Sequence, residues 1–160
     1  MIRITKIAAA LFIGVIGTFF FLDNLANLEA AFTVVSYVVS GAEQPHYKIF
    51  GPSISSEWLT YLALFLIMTV ELVVGALGFF GTFQMIKTRK GSVEDFSAAK
   101  ASAILAGLIG MLFWYGFFVI IGEAYFQMWQ TEIGLGSAEG AFRYGTVCAV
   151  LMTYIATNND

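Results

Sequence analysis

Glu71 is the residue whose position in this sequence asks most directly for a chemical explanation. It lies near the middle of the apolar run from Trp58 to Ile86, at the expected depth of Leu112 and Phe113 on a later apolar run. A carboxylate inside a bilayer is costly, so such a group should face other protein and be either protonated or partnered. Two roles fit it: a carboxyl that carries a proton or binds a ligand, or a protonated side chain whose hydrogen bond pins neighbouring helices. A proton relay needs successive stations, and the sequence places no second ionisable group at that depth.

Glu123 and Arg143 form the second constellation. They sit at facing ends of the third and fourth apolar runs, and antiparallel helices would bring them to similar depth, so an ion pair is expected. Glu139 competes, because it precedes Arg143 by four residues in the order that favours a pair along one helix. The plain reading is a structural tie at the membrane interface. The sharper one is an outer-face docking or binding site that also includes Gln127, Trp129 and Gln130.

Other motifs carry less. Gly134-Leu135-Gly136 with Gly140 resembles part of a phosphate loop, but no strand precedes it and no Lys-Ser/Thr pair follows, so it is expected to be a flexible turn. A single cysteine, Cys148, excludes an intrachain disulfide and a Cys-only metal site, and a single histidine, His46, excludes a haem held by two histidines of this chain. With His46 on a loop and Cys148 on an apolar run, a nucleophile–base pair is remote. No catalytic residue, metal site or cofactor is expected. The cluster Lys87-Thr88-Arg89-Lys90 is short and free of aromatics, and topology explains it without nucleic acid.

The elements that must position these residues follow from composition. The chain has 160 residues, of which 59% are hydrophobic and 12% charged, and its mean hydropathy is +0.80. Soluble domains carry charge at roughly 25% of positions, so lipid must be the main solvent. Apolar runs cover about 7–22, 58–86, 98–122 and 141–157. They predict an all-α fold: a four-helix transmembrane bundle forming one domain over 1–160. The first run has the basic start of a signal peptide, but no small-x-small pattern closes it, so a retained helix is expected.

Between the first two runs, residues 24–40 place Leu25, Leu28, Phe32, Val35 and Val39 on one helical face. This stretch is too short to span, and is expected to lie on the membrane surface or over the bundle mouth. Residues 41–56, with Pro45 and Pro52, read as loop. The cluster Ser53 to Ser56 is placed to cap the second long helix, and Ser92-Val93-Glu94-Asp95 to cap the third as a variant capping box.

Basic residues set the orientation. Arg3, Lys6, Lys87, Arg89, Lys90 and Lys100 flank one side, whereas Lys48 and Arg143 fall on the other with Asp23, Glu29, Glu43, Glu57, Glu123, Glu132 and Glu139. The bias predicts cytoplasmic N- and C-termini, the latter ending in the polar tail Asn158-Asn159-Asp160. Trp58, Tyr61, Tyr125, Trp129 and Tyr144 gather toward the outer interface, as an aromatic belt requires. Small residues recur in stripes, among them Ala10, Gly14 and Thr18, then Gly75, Gly78 and Gly81, then Ala99, Ala103 and Gly107. Such stripes let helix backbones approach closely, and packing within the chain is the expected use.

The segments Gly122-Glu123-Ala124-Tyr125-Phe126-Gln127-Met128-Trp129-Gln130 and Ala141-Phe142-Arg143, with Phe96-Ser97-Ala98-Ala99-Lys100 and the Glu71 run, resemble a bacterial family described as predicted small integral membrane proteins. The similarity covers nearly the whole chain. It implies the same order of spans and a bacterial inner-membrane location, and it implies no activity.

Three classes of function follow. A non-catalytic accessory or stabilising subunit of a larger membrane complex fits the small size and the aromatic outer face. Its partners would be the lipid bilayer with other membrane subunits or further copies of the chain. A small transporter, channel or proton-coupled carrier would be built around Glu71. A membrane enzyme has no nucleophile, metal set or cofactor motif to support it.

Overall fold

Three helical rods are long and apolar enough to cross a membrane: Ile2–Ala26 (α1), Glu57–Thr88 (α3), and the composite Val93–Tyr125. The computed structural model describes residues 1–41 and 44–158. Glu43, counted above among the outer acids, and Asn159 and Asp160 of the polar tail lie outside the described residues. Leu28–Ser40 (α2) is a shorter apolar helix. The composite rod is α4 (Val93–Ala99), α5 (Ala101–Phe113) and a π-helical segment, Trp114–Tyr125. A 3-10 turn, Met128–Gln130, leads into α6, Glu132–Ala156. Among the described residues there is no strand.

α6 is longer than the run at 141–157 suggests. Its 25 residues begin at Glu132, so Gly134, Gly136 and Gly140 lie in its first turns and form no flexible turn. Thr131 supplies the reason: its side chain accepts a hydrogen bond from Gly134 N at 3.2 Å, capping the helix nine residues earlier than hydropathy marks. Glu132, Glu139 and Arg143 dilute the apolar signal of that first half.

The two expected caps have different outcomes. Ser92 caps α4, its hydroxyl accepting from Asp95 N at 3.0 Å. Ser56 occupies the N-cap of α3 with an extended backbone, but its side chain makes no capping hydrogen bond.

Helix contacts run through glycine. A Cβ on Gly78 would stand 2.5 Å from Gly14 N, and one on Gly17 would stand 2.6 Å from Gly75 N, so α1 and α3 touch backbone to backbone. On the other face of α3, a Cβ on Gly81 would stand 2.6 Å from Ala103 N of α5. A Cβ on Gly107 would likewise stand 2.6 Å from Met152 Cβ on α6. The small-residue stripes are thus used within the chain, as close packing in lipid requires. Ile13, Val74, Met85, Phe96, Ala106 and Ile155 fill the core between them.

Basic side chains draw one end together. Arg3 donates to the carbonyls of Arg89 and Gly91 at 3.1 and 2.9 Å. Lys6 and Lys100, both buried, donate to the Thr157 carbonyl at 2.7 and 3.0 Å. Two ammonium groups at the C-terminal end of α6 face the negative pole of its dipole.

At the other end α1 passes into α2 through one residue, Asn27. The Asn27 amide nitrogen donates to the Asp23 carbonyl and carboxylate at 2.9 and 3.0 Å, turning the chain without a loop. α2 then lies against the first half of α3, with Phe32 and Tyr61 at a ring-centroid distance of 4.2 Å, and also touches α6.

Candidate functional site

The site begins with Glu71, which is 2% exposed and close to the middle of α3. Its partner is Asn24. The Asn24 side-chain nitrogen donates to both carboxyl oxygens, at 3.0 and 2.9 Å. Asn24 reaches this depth because α1 continues two residues past it, to Ala26, rather than ending at Leu22. A carboxylate offers about four acceptor positions, so Asn24 leaves capacity for a further donor.

Glu71 and Asn24 line a cavity of about 320 Å³ between α1, α2, α3, the π-helical segment and α6. Asp23 stands on the same wall, with Phe20, Trp114 and Phe118 as aromatic sides. A second space of about 240 Å³ shares Val34, Val35, Ile67, Phe118 and Ser137 with the first and continues beneath α2 to Phe126 and Met128. Among the described residues its walls are hydrocarbon and aromatic apart from Ser137, the glycine Gly122 and the Met128 thioether.

Two structural features of this cavity escape the hydropathy pattern. One is the π-helix. Its last turn closes with Phe126 N donating to Ile121 O at 2.9 Å, a five-residue step. Residues four or five apart then share a face, which brings Trp114, Phe118 and Gly122, and Phe117, Ile121 and Phe126, to the cavity wall. Such winding concentrates at functional sites. The other is the pair Gly136 and Gly140, one turn apart on α6. Both line the first space, and a Cβ on either would meet nothing within 4 Å. With the exposed Phe20 and Asp23 of α1, they form an open mouth between α1 and α6.

Tyr144 lies one turn further along α6. Its ring packs on Trp114 and Phe20 at 3.9 and 4.8 Å between centroids. Its hydroxyl is buried and has no hydrogen-bond partner in the structure.

The constellation around Arg143 is rearranged. Arg143 pairs with Glu139, Nη2 to Oε2 at 2.9 Å, and both side chains are exposed. The expected Glu123–Arg143 pair is not the one formed, because the partner four residues away on the same helix is within reach without bridging two helices. Gln127, Trp129 and Gln130 do meet, and Gln130 ties the loop before α3 to the turn before α6. Gln130 Oε1 accepts from His46 N and Tyr47 N at 2.9 and 2.8 Å, and its Nε2 donates to Tyr47 O at 2.7 Å. Trp129 Nε1 donates to Gln127 Oε1 at 2.9 Å, and Gln127 itself takes the left-handed conformation at φ 58°.

Comparison with known families now adds to this geometry. The family model described as "Predicted small integral membrane protein" matches residues 2–158. The chain belongs to that family. No curated protein and no solved structure matches it. The match makes the chain a small integral membrane protein, in agreement with its three long apolar rods. Family membership attaches no activity to Glu71 or to any other residue, so the site must be read from its own geometry.

Proposed function

We propose that this integral membrane protein binds a small ligand in the cavity that ends at Glu71, and that this cavity is the substrate site of a small proton-coupled carrier. The observation that carries the reading is a buried carboxyl lining a cavity with an open mouth, where a merely structural carboxyl would be packed on every side. The topology proposed with it has four crossings, with α6 as the fourth, and both termini on the cytoplasmic side of a bacterial inner membrane. Support for that orientation comes from Arg3, Lys6, Lys87, Arg89, Lys90 and Lys100 at one end of the rods.

A hydrophobic carbodiimide tests the reading, because a protonated carboxyl that it reaches from an apolar phase gives its proton to a carbodiimide nitrogen and adds through oxygen to the central carbon, and the O-acylisourea rearranges to a stable N-acylurea. Treated membranes should yield a Glu71-containing peptide carrying the adduct, absent from Glu71→Gln. An inert Glu71 alongside intact, folded protein would leave it a packing residue and defeat the proposal.

One observation favours the accessory-subunit reading as a second possibility. Phe50, Trp58 and Tyr47 expose large aromatic faces near the outer loops, at 78%, 67% and 63%. A partner bound there should survive extraction from native membranes in mild detergent. Recovery of the chain alone would count against that reading.

A further inference from the structure

The cavity also constrains what it would hold, and the following rests on the ligand-binding reading above. We infer that it takes an organic ammonium ion with a single apolar tail, admitted sideways from the outer leaflet between α1 and α6, with the cationic head at Glu71 and Asp23 and the tail beneath α2.

Three independent features lead there. The first is charge. Glu71 and Asp23 both line the polar part of the cavity, and no Lys or Arg side chain lines either of its two spaces. An anion would meet two carboxyls, whereas an ammonium would meet acceptors and the faces of Phe20, Trp114 and Phe118. Cations are attracted to such rings when within about 6 Å of the centroid, more strongly where water is excluded. Asn24 engages Glu71 through one nitrogen only, so an arriving N–H donor finds unused acceptor positions.

The second is shape. Beyond Phe118 the space continues between Val35, Val39 and Ile67 toward Met128, and among the described residues no charged side chain lies on its wall. A polar ligand would lose hydration there without compensation, whereas a hydrocarbon chain gains by leaving water. A flexible thioether at Met128 and valines on α2 can adjust to chains of differing length.

The third is the way in. Gly136 and Gly140 leave the α6 side of the mouth without side chains, and added Cβ atoms there would meet open space. At neither position does packing demand glycine. An opening between two helices suits a ligand already dissolved in the membrane better than one arriving from water. The buried Tyr144 hydroxyl, packed against Phe20 and Trp114, gives this end of the site a further unpartnered polar group.

The test uses the full chain in lipid nanodiscs with decylamine as probe and 1-decanol as its neutral match, empty discs correcting for partition into lipid. Trp58→Phe with Trp129→Phe leaves Trp114, on the cavity wall, as the sole tryptophan reporting by fluorescence. Decylamine should give a saturable change, with 1-decanol binding at least tenfold more weakly. Glu71→Gln should weaken decylamine at least tenfold. Gly140→Leu should suppress binding while leaving the melting temperature near that of the parent, because it fills the mouth and no packed contact. Equal binding of decylamine and 1-decanol would overturn the ammonium assignment and leave the ligand site standing. So would unaltered affinity in Glu71→Gln. Undiminished binding in Gly140→Leu would overturn the sideways route. Absence of saturable binding by either probe, with Glu71 still modified by carbodiimide, would overturn the ligand class alone. The same absence with Glu71 inert would remove the ligand-binding reading as well.

Discussion

The side-chain nitrogen of Asn24 lies 3.0 and 2.9 Å from the two carboxyl oxygens of Glu71, joining the last turns of α1 to the middle of α3. The contact crosses an interface whose backbones already touch through Gly17 and Gly75, so neither helix can move aside to relieve a lost partner.

Asn24→Leu should therefore cost stability, because it leaves a buried carboxyl without its donor. Loss of one partner of a buried polar pair costs about 1–3 kcal/mol in water-soluble proteins, while hydrogen bonds between membrane helices average about 0.6 kcal/mol. The expected loss is about 1–2 kcal/mol by reversible unfolding in detergent. Glu71→Gln combined with Asn24→Leu should cost less than the two changes summed. Strict additivity would mean that the pair does not act as a unit.

Glu71 is legible in the sequence because one acid in a long apolar run stands out. Asn24 is not, and the reason is physical: the hydropathy of the first run falls at Asp23, while the backbone helix carries on to Ala26 under the control of packing against α3. Similar logic hid the start of α6, where charged residues and glycines mask a helix fixed by the Thr131 cap. The π-helical winding leaves no local mark, since an apolar wall repeating every four or five residues looks uniformly hydrophobic in a segment such as Trp114 to Ile121. The glycine stripes announce close backbone approach in lipid, but a stripe serves a second chain as well as a neighbouring helix, and it is the structure that shows Gly14, Gly17, Gly75, Gly78 and Gly81 used between α1, α3 and α5.

Gly78→Ala and Gly140→Ala should differ in sign. At Gly78 the new methyl would meet the backbone of Gly14, which cannot rotate away, so overpacking should cost about 1–3 kcal/mol. At Gly140 it would meet nothing, and the gain in helix propensity should be about 0.5–1 kcal/mol. Thermal unfolding of both variants in one detergent gives the comparison. A stabilised Gly78→Ala would mean that α1 and α3 are further apart than described.

Gln130→Ala should act locally. Its amide makes three hydrogen bonds to the backbone of His46 and Tyr47, so its removal frees the loop before α3 from the turn before α6. Hydrogen exchange at the His46 and Tyr47 amides should quicken by about tenfold or more, corresponding to about 1.4 kcal/mol of lost protection. The interior amides of α3 and α5 should exchange as before. If these loop amides already exchange at the open-chain rate in the parent protein, the tie does not hold in solution.

The fourth crossing can be decided by labelling. α6 has 25 residues, which at the α-helical rise is about 37 Å and exceeds the roughly 30 Å of hydrocarbon. Its first half nevertheless carries the exposed Glu139–Arg143 pair, so the apolar part alone is short of a full span. The proposed crossing places that pair in the outer headgroup layer, with the C-terminal end beside Lys6 and Lys100. In a Cys148→Ser background, single cysteines replacing Ser53 or Glu132 should react with a membrane-impermeant maleimide added outside intact cells. Cysteines replacing Ser92 or Asn158 should react only after permeabilisation. All four native residues are exposed, so failure to react reports sidedness rather than burial. Labelling of the Glu132 and Asn158 positions from the same side would remove α6 from the spanning set. Glu71 would then lie beside a cavity walled by three crossing rods and a fourth helix that enters the membrane and returns.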